Sequence, residues 1–211
     1  MSIYLEALIL YIILFFSGSA AGRTLQAAIL FSISSQILEI LLFFIPSIAV
    51  IWYILARNWK TERRVIKPGK KDLIVCLISF PILLIIGAIM GIISTFTVPA
   101  AQTMPFSPSD ISGWIFLSFS CICLAYLEES FFRFFLLSKR NEMGMNAAAA
   151  LLVSTALFSL CHIYLGPFGF LNSVIAGLIL GFIFLKSGSL HGIAITHGLY
   201  NITAYVINAL K

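Results

Sequence analysis

Two stretches decide the fold: Ile78–Met90, ISFPILLIIGAIM, and Ile115–Leu127, IFLSFSCICLAYL. Neither carries a charge, and each continues into further apolar sequence. The resulting runs approach the ~20 residues that a helix needs to cross about 30 Å of hydrocarbon. A membrane-spanning strand would instead alternate apolar and polar residues over about ten positions, and these runs do not alternate. Backbone groups in lipid must be hydrogen-bonded internally, so a helical bundle is the remaining solution. The rest of the chain agrees. Of its 211 residues 61% are hydrophobic and 10% charged, and the mean hydropathy is +1.07. A soluble domain carries about 25% charged residues, so there is too little charge here to cover a surface facing water. The expected fold is all-α, a polytopic transmembrane bundle.

Seven spans are expected, near Ile3–Ala20, Leu25–Leu55, Leu73–Val98, Gly113–Leu137, Ala147–Leu165, Phe170–Leu185 and Leu190–Leu210. The second is too long for an upright helix; it tilts, or begins in the interface near Ser32, Ser34 and Ser35, and Pro46 is placed to kink it. Arg57–Asp72 is a basic loop, Pro99–Ser112 an irregular one, and Gly166–Gly169 a tight turn. With no internal repeat or linker, residues 1–211 read as a single domain. The start Ala7–Phe16 lacks the preceding Lys or Arg of a signal peptide, so a retained first helix is expected.

The net charge of +5 does not indicate nucleic acid, because the basic residues sit in loops between apolar runs. Alternate loops place Arg57, Lys60, Arg63, Arg64, Lys67, Lys70, Lys71, Lys139, Arg140 and Lys186 on one side of the bilayer, against Arg23 and Lys211 on the other. The rich side is expected to be cytoplasmic, in the plasma membrane of a prokaryote. Cys76, Cys121, Cys123 and Cys161 all lie in apolar runs without zinc-finger spacing, and a disulfide framework is not expected.

In such a chain the informative residues are ionisable ones inside spans. Each costs roughly 2.5–3.5 kcal/mol at the bilayer centre, so each is a functional hypothesis. Span four reads Leu127-Glu128-Glu129-Ser130-Phe131-Phe132-Arg133. Glu129 and Arg133, four apart, share a helical face and pair; Arg suits a buried carboxylate because its planar fork keeps its charge. Glu128 points about 100° away, without a local partner, and a carboxylate so placed is poised to take and give protons. Alternatively all three form one structural ion cluster. Span five carries Phe158 and His162, and span seven His197 and Asn201, each pair at i, i+4. His and Asn together offer donors for an oxyanion. Two carboxylates, two His and one Asn exceed what helix gluing requires and suggest a hydrolytic site.

These residues resemble the CPBP family of intramembrane proteases, the CAAX proteases and bacteriocin-processing enzymes also called Abi proteins. The family's E-E-x-x-x-R matches Glu128, Glu129 and Arg133; its F-x-x-x-H matches Phe158 and His162; its H-x-x-x-N matches His197 and Asn201. The Gly-rich stretch Ala176–Gly181 is also similar. The likeness covers Trp114 to Asn201, so the catalytic core is expected in 113–205. The resemblance implies that Glu128 activates water with His162 beside it, that His197 and Asn201 hold the oxyanion, and that Glu129, Arg133 and Phe158 support the site. It implies a peptide or protein substrate in the membrane and no cofactor. The alternative is a zinc ion on Glu128, His162 and His197, which could supply the three ligands a catalytic zinc takes beside one open position, although H-E-x-x-H is absent and Asn201 is a poor zinc ligand.

One expectation about depth is awkward. At 1.5 Å per residue, Glu128 lies about 15 Å, His162 about 22 Å and His197 about 10 Å from the cytoplasmic ends of their spans. A shared site then requires the Ala147–Ala150 stretch to lie in the interface, or tilted or broken helices. Elsewhere His191 is expected to meet water, Glu6 to snorkel, Gln36 and Glu39 to reach the cavity or bond between helices, and the Phe residues to face lipid. A non-enzymatic immunity or peptide-binding protein on the same scaffold is the competing function. A proton-coupled transporter is the third, disfavoured by the lack of an inverted repeat.

Overall fold

The computed structural model describes residues 2–16, 32–56, 67–97 and 108–210. Among them are seven helices and no strand. They are α1 (3–16), α2 (33–56), α3 (Lys70–Thr97), α4 (Ile111–Ser138), α5 (Ala147–Leu160), α6 (Gly166–Ser187) and α7 (Leu190–Ala209). These follow the seven expected spans in order. The outer ends of the first two spans, Arg23, most of the 57–72 loop, residues 98–107 and Lys211 lie outside the described residues.

Four stretches are long and apolar enough to cross a membrane: Ile33–Leu55, Lys70–Phe96, Ile111–Ser138 and Ile163–Ser187. The chain is an integral membrane protein. α1 and α5 are apolar but shorter, and α7 carries His191, His197 and Asn201 along its length. α4 is the central element: 44% of its apolar window is buried against 17% for α2 and for α3. α7 packs along α4 and α3, while α6 packs along α5 and α3. The outward face of α3, with Leu73, Ile74, Leu77, Ile78 and Ile85, is exposed. Spacing of three and four keeps these residues on one stripe, which lipid covers.

The Phe residues correct an expectation. Phe131, Phe132, Phe134 and Phe135 are all fully buried in α4, and Phe15 and Tyr11 of α1 close over Phe131 and Phe132 with ring centroids 4.8–6.4 Å apart. A bundle in lipid gains nothing from hiding apolar surface as such; it gains packing. Large flat rings interlock at offset and edge contacts, which favours them at the centre over the lipid face. Phe96, Phe119 and Phe182 do face outward.

Two backbone features shape the bundle. In α2 a wide π-type turn at Ile40–Phe44 ends two residues before Pro46. Pro lacks an N–H and its ring crowds the carbonyl four residues back; a widened turn relieves that crowding. A second π-type turn, Ser130–Phe135, follows the two glutamates of α4. The turn after α5 comes earlier than expected. The break falls at Cys161–Leu165, not Gly166–Gly169, and Gly166, at φ +76°, opens α6 with Pro167 in its first turn. Only glycine adopts that φ without strain, and Pro is favoured at a helix start.

The basic helix ends are tied together. Lys71 Nζ donates to the Gly188 carbonyl at 3.1 Å, Ser189 donates to Asp72, and Tyr4 donates to the Met143 carbonyl. At the start of α4, Asp110 accepts from the Gly113 N–H at 2.7 Å and from Ser112, which holds its carboxyl below the usual range.

Candidate active site

α4 presents Glu128, Glu129 and Arg133 to the interior, and α7 presents His197. Their relative exposures are 2%, 0%, 0% and 5%. The i, i+4 spacing sets Arg133 Nε 3.2 Å from Glu129 Oε2, as expected. The other oxygen, Glu129 Oε1, lies 2.9 Å from His197 Nδ1. His197 Nε2, on the opposite edge of the ring, stands 3.6 Å from Glu128 Oε2. Consecutive helical residues diverge by about 100°, yet one imidazole meets both carboxylates because its nitrogens face different ways. At 3.6 Å the Glu128 contact is an ion-pair distance and not a hydrogen bond.

The Nδ1 edge of His197 faces Glu129 and the Nε2 edge faces Glu128, so the ring lies between the two carboxylates in a cluster that also holds one guanidinium.

Arg133 is also braced from outside α4. Its Nη2 donates to the Gly177 carbonyl of α6 at 3.4 Å, and its guanidinium lies 4.5 Å from the Phe158 ring centroid. Gly177 allows that approach: a Cβ there would stand 3.0 Å from Thr155 Cγ2 and 3.3 Å from Phe158 Cδ1. The Gly-rich stretch of α6 therefore serves close packing. Thr196, next to His197, shares a 2.6 Å hydrogen bond with Ser79 of α3, which fixes the rotation of α7.

The expected residues are not all in one contact set. Phe158 touches both imidazoles, with centroids 4.5 Å from His162 and 5.6 Å from His197. His162 sits half-buried on the turn after α5, its Nδ1 2.9 Å from the Phe158 carbonyl. Asn201, half-buried, follows His197 by one turn of α7. The depth difficulty eases because α5 has fourteen residues, about 21 Å of helix, less than the hydrocarbon thickness. His162 thus belongs to a chain reversal and not to a full span.

Among the described residues no group of three or more His, Cys, Asp or Glu is arranged to hold a metal ion. Of the alternative zinc ligands, Glu128 meets His197, while His162 bonds to its own helix end.

The partners sequence reasoning did not find are cross-helix ones: Gly177 for Arg133, and His197 for Glu129. Spacing along one helix carries no signal for them. His191, expected to meet water, is half-buried; its Nδ1 is 3.0 Å from the Tyr126 hydroxyl and its ring meets Trp52.

Residues 110–203 match the family model described as type II CAAX prenyl endopeptidase Rce1-like. No curated protein and no solved structure matches the chain.

Proposed function

With residues 110–203 matching the Rce1-like CAAX prenyl endopeptidase family, we propose that this integral membrane protein is an intramembrane endopeptidase that hydrolyses a peptide bond of a membrane-associated peptide or protein by glutamate-activated water. The observation that carries the reading is the His197 ring set against Glu128 and Glu129 inside an apolar bundle. A purely structural ion pair needs one acid and one base. Here a second carboxylate and an imidazole stand beside that pair, which is the arrangement general acid–base chemistry uses.

Glu128 acts as the base. It takes a proton from water while the water oxygen bonds to the scissile carbonyl carbon and the carbonyl electron pair moves onto oxygen. His197 and Asn201, on one face of α7, donate to that oxyanion. As the carbonyl re-forms, the C–N bond breaks, and Glu128 returns its proton to the leaving nitrogen. Glu129 orients His197 through Nδ1, and Arg133 holds Glu129 in place. His162 lies across Phe158 from this centre and assists at the substrate side of the turn after α5. The catalytic core is 113–205, within a single domain, with the basic 57–72 loop facing the cytoplasm.

The test is proteolysis by the purified protein in lipid, using membrane-anchored reporter peptides. Wild-type cleavage that disappears in Glu128→Gln is the expected result. Undiminished cleavage by Glu128→Gln overturns the reading.

A further inference from the structure

The end of α5 is closed by a side chain from α1, outside residues 110–203. In a regular α-helix the Cys161 N–H would donate to the Leu157 carbonyl, four residues back. Here the last turn tightens. The Cys161 N–H donates to the Phe158 carbonyl at 3.2 Å and the His162 N–H to the Ser159 carbonyl at 2.9 Å. The Leu157 carbonyl thereby loses its backbone donor, as the last carbonyls of a helix do. Within hydrocarbon such a group needs another partner.

Tyr11 of α1 supplies it. Its hydroxyl donates to the Leu157 carbonyl at 3.1 Å. The Cys161 thiol, a weak donor, lies 3.3 Å from the same carbonyl and 3.6 Å from the Tyr11 oxygen. The Tyr11 ring packs on Phe131 and Phe132 of α4, with centroids 6.2 and 6.4 Å away. One residue of α1 therefore leans on α4 and bonds to the end of α5.

The neighbouring carbonyl carries the consequence. Phe158 accepts from the Cys161 N–H and also from His162 Nδ1, at 2.9 Å. A carbonyl only accepts, so Nδ1 is the donor in that bond, and the ring is held by this edge with Nε2 turned the other way. The Leu157 and Phe158 carbonyls are successive groups of one helix turn. Tyr11 fixes the first, and the second orients His162.

We propose that Tyr11 is a positioning residue: its hydroxyl holds the end of α5 in the tightened turn and thereby sets the His162 ring, so that α1 is part of the site. The catalytic consequence rests on the protease reading above; the placement of the ring does not.

Tyr11→Phe in the full chain removes the hydroxyl and keeps the ring contacts. Tyr4→Phe is the control, because Tyr4 also ties α1 to the bundle, but at the Met143 carbonyl, before the start of α5. The first readout is the nitrogen spectrum of ¹⁵N-histidine-labelled protein in liposomes. The chain has three histidines, and the His162 signal is the one lost in His162→Gln. Tyr11→Phe is expected to shift the His162 Nδ1 signal and to leave His197 in place; Tyr4→Phe is expected to move neither. The second readout is cleavage of a membrane-anchored reporter peptide. Tyr11→Phe is expected to lower kcat about tenfold, the scale of one orienting hydrogen bond, with KM and melting temperature little changed. An unmoved His162 signal in Tyr11→Phe overturns the proposal. So does an equal response to Tyr4→Phe, since the effect is then general docking of α1, and so does a shifted signal with undiminished kcat. Absence of cleavage by the wild-type protein is instead the failure of the protease reading, and the His162 signal then decides the placement of the ring alone.

Discussion

Glu129 Oε1 lies 2.9 Å from His197 Nδ1, so the carboxylate that sequence spacing assigns to Arg133 also orients the imidazole of another helix. Glu129 therefore faces a partner on both oxygens, which is why the proposed activation of water is assigned to Glu128.

Glu128→Gln is expected to abolish turnover without unfolding the protein. Gln keeps nearly the same shape but cannot accept water's proton, and loss of a general base costs about 10²–10⁴-fold. Initial rates on a reporter peptide, paired with the melting temperature of each protein, check this. A rate within a few-fold of wild type is the contrary outcome.

Arg133→Ala is expected to harm the fold more than the chemistry. It leaves Glu129 buried with its guanidinium partner gone, and breaking one half of a buried pair costs about 3–5 kcal/mol. Low yield and a lowered melting temperature are expected, with Arg133→Lys intermediate because Lys lacks the planar fork. A normally stable Arg133→Ala protein shows that the Glu129 carboxylate is satisfied by His197 alone.

Removal of His197 and of Asn201 should separate two roles. Asn201→Ala is expected to lower kcat about 10²–10³-fold, the effect of one oxyanion donor, with KM little changed. His197→Ala removes a donor and also unseats Glu129, so both kcat and stability should fall. Equal melting temperatures for the two variants contradict the bridging role of His197.

Chelation distinguishes the water mechanism from a zinc mechanism. Dialysis against a strong chelator is expected to leave the rate unchanged. Loss of activity that zinc restores points instead to metal-bound water.

Sidedness is tested with single cysteines at Lys67 and Lys211. Labelling of Lys67Cys from the cytoplasm and of Lys211Cys from outside is the expected pattern; labelling of both from one side changes the span count by one.

The membrane fold was legible because hydropathy is a local property: Ile78–Met90 needs no partner to announce a span. The Glu129–Arg133 pair was legible for the same reason, since both residues ride one helix. Illegible were contacts set by how helices face each other. His197 stands 68 positions from Glu129, and nothing in either local stretch fixes the rotation that joins them. Family motifs brought His162 and Asn201 together with the glutamates as a list; the structure separates them by a ring and by a helical turn. The burial of Phe131–Phe135 was missed because hydrophobicity does not tell lipid from protein, both being apolar. The chain reversal at Cys161–Leu165 was misplaced because Pro167 reads equally well as a breaker and as a helix start.

The distance in sequence between the glutamates and His197 also orders the birth of the protein. α4 leaves the ribosome long before α7 exists. During that interval the Glu129–Arg133 pair travels as a self-contained unit within one helix, whereas the imidazole that meets Glu128 in the finished bundle has not yet been made. The last helix therefore completes the charged cluster as well as the bundle, and a nascent chain stopped before Leu190 carries both glutamates without the ring that joins them.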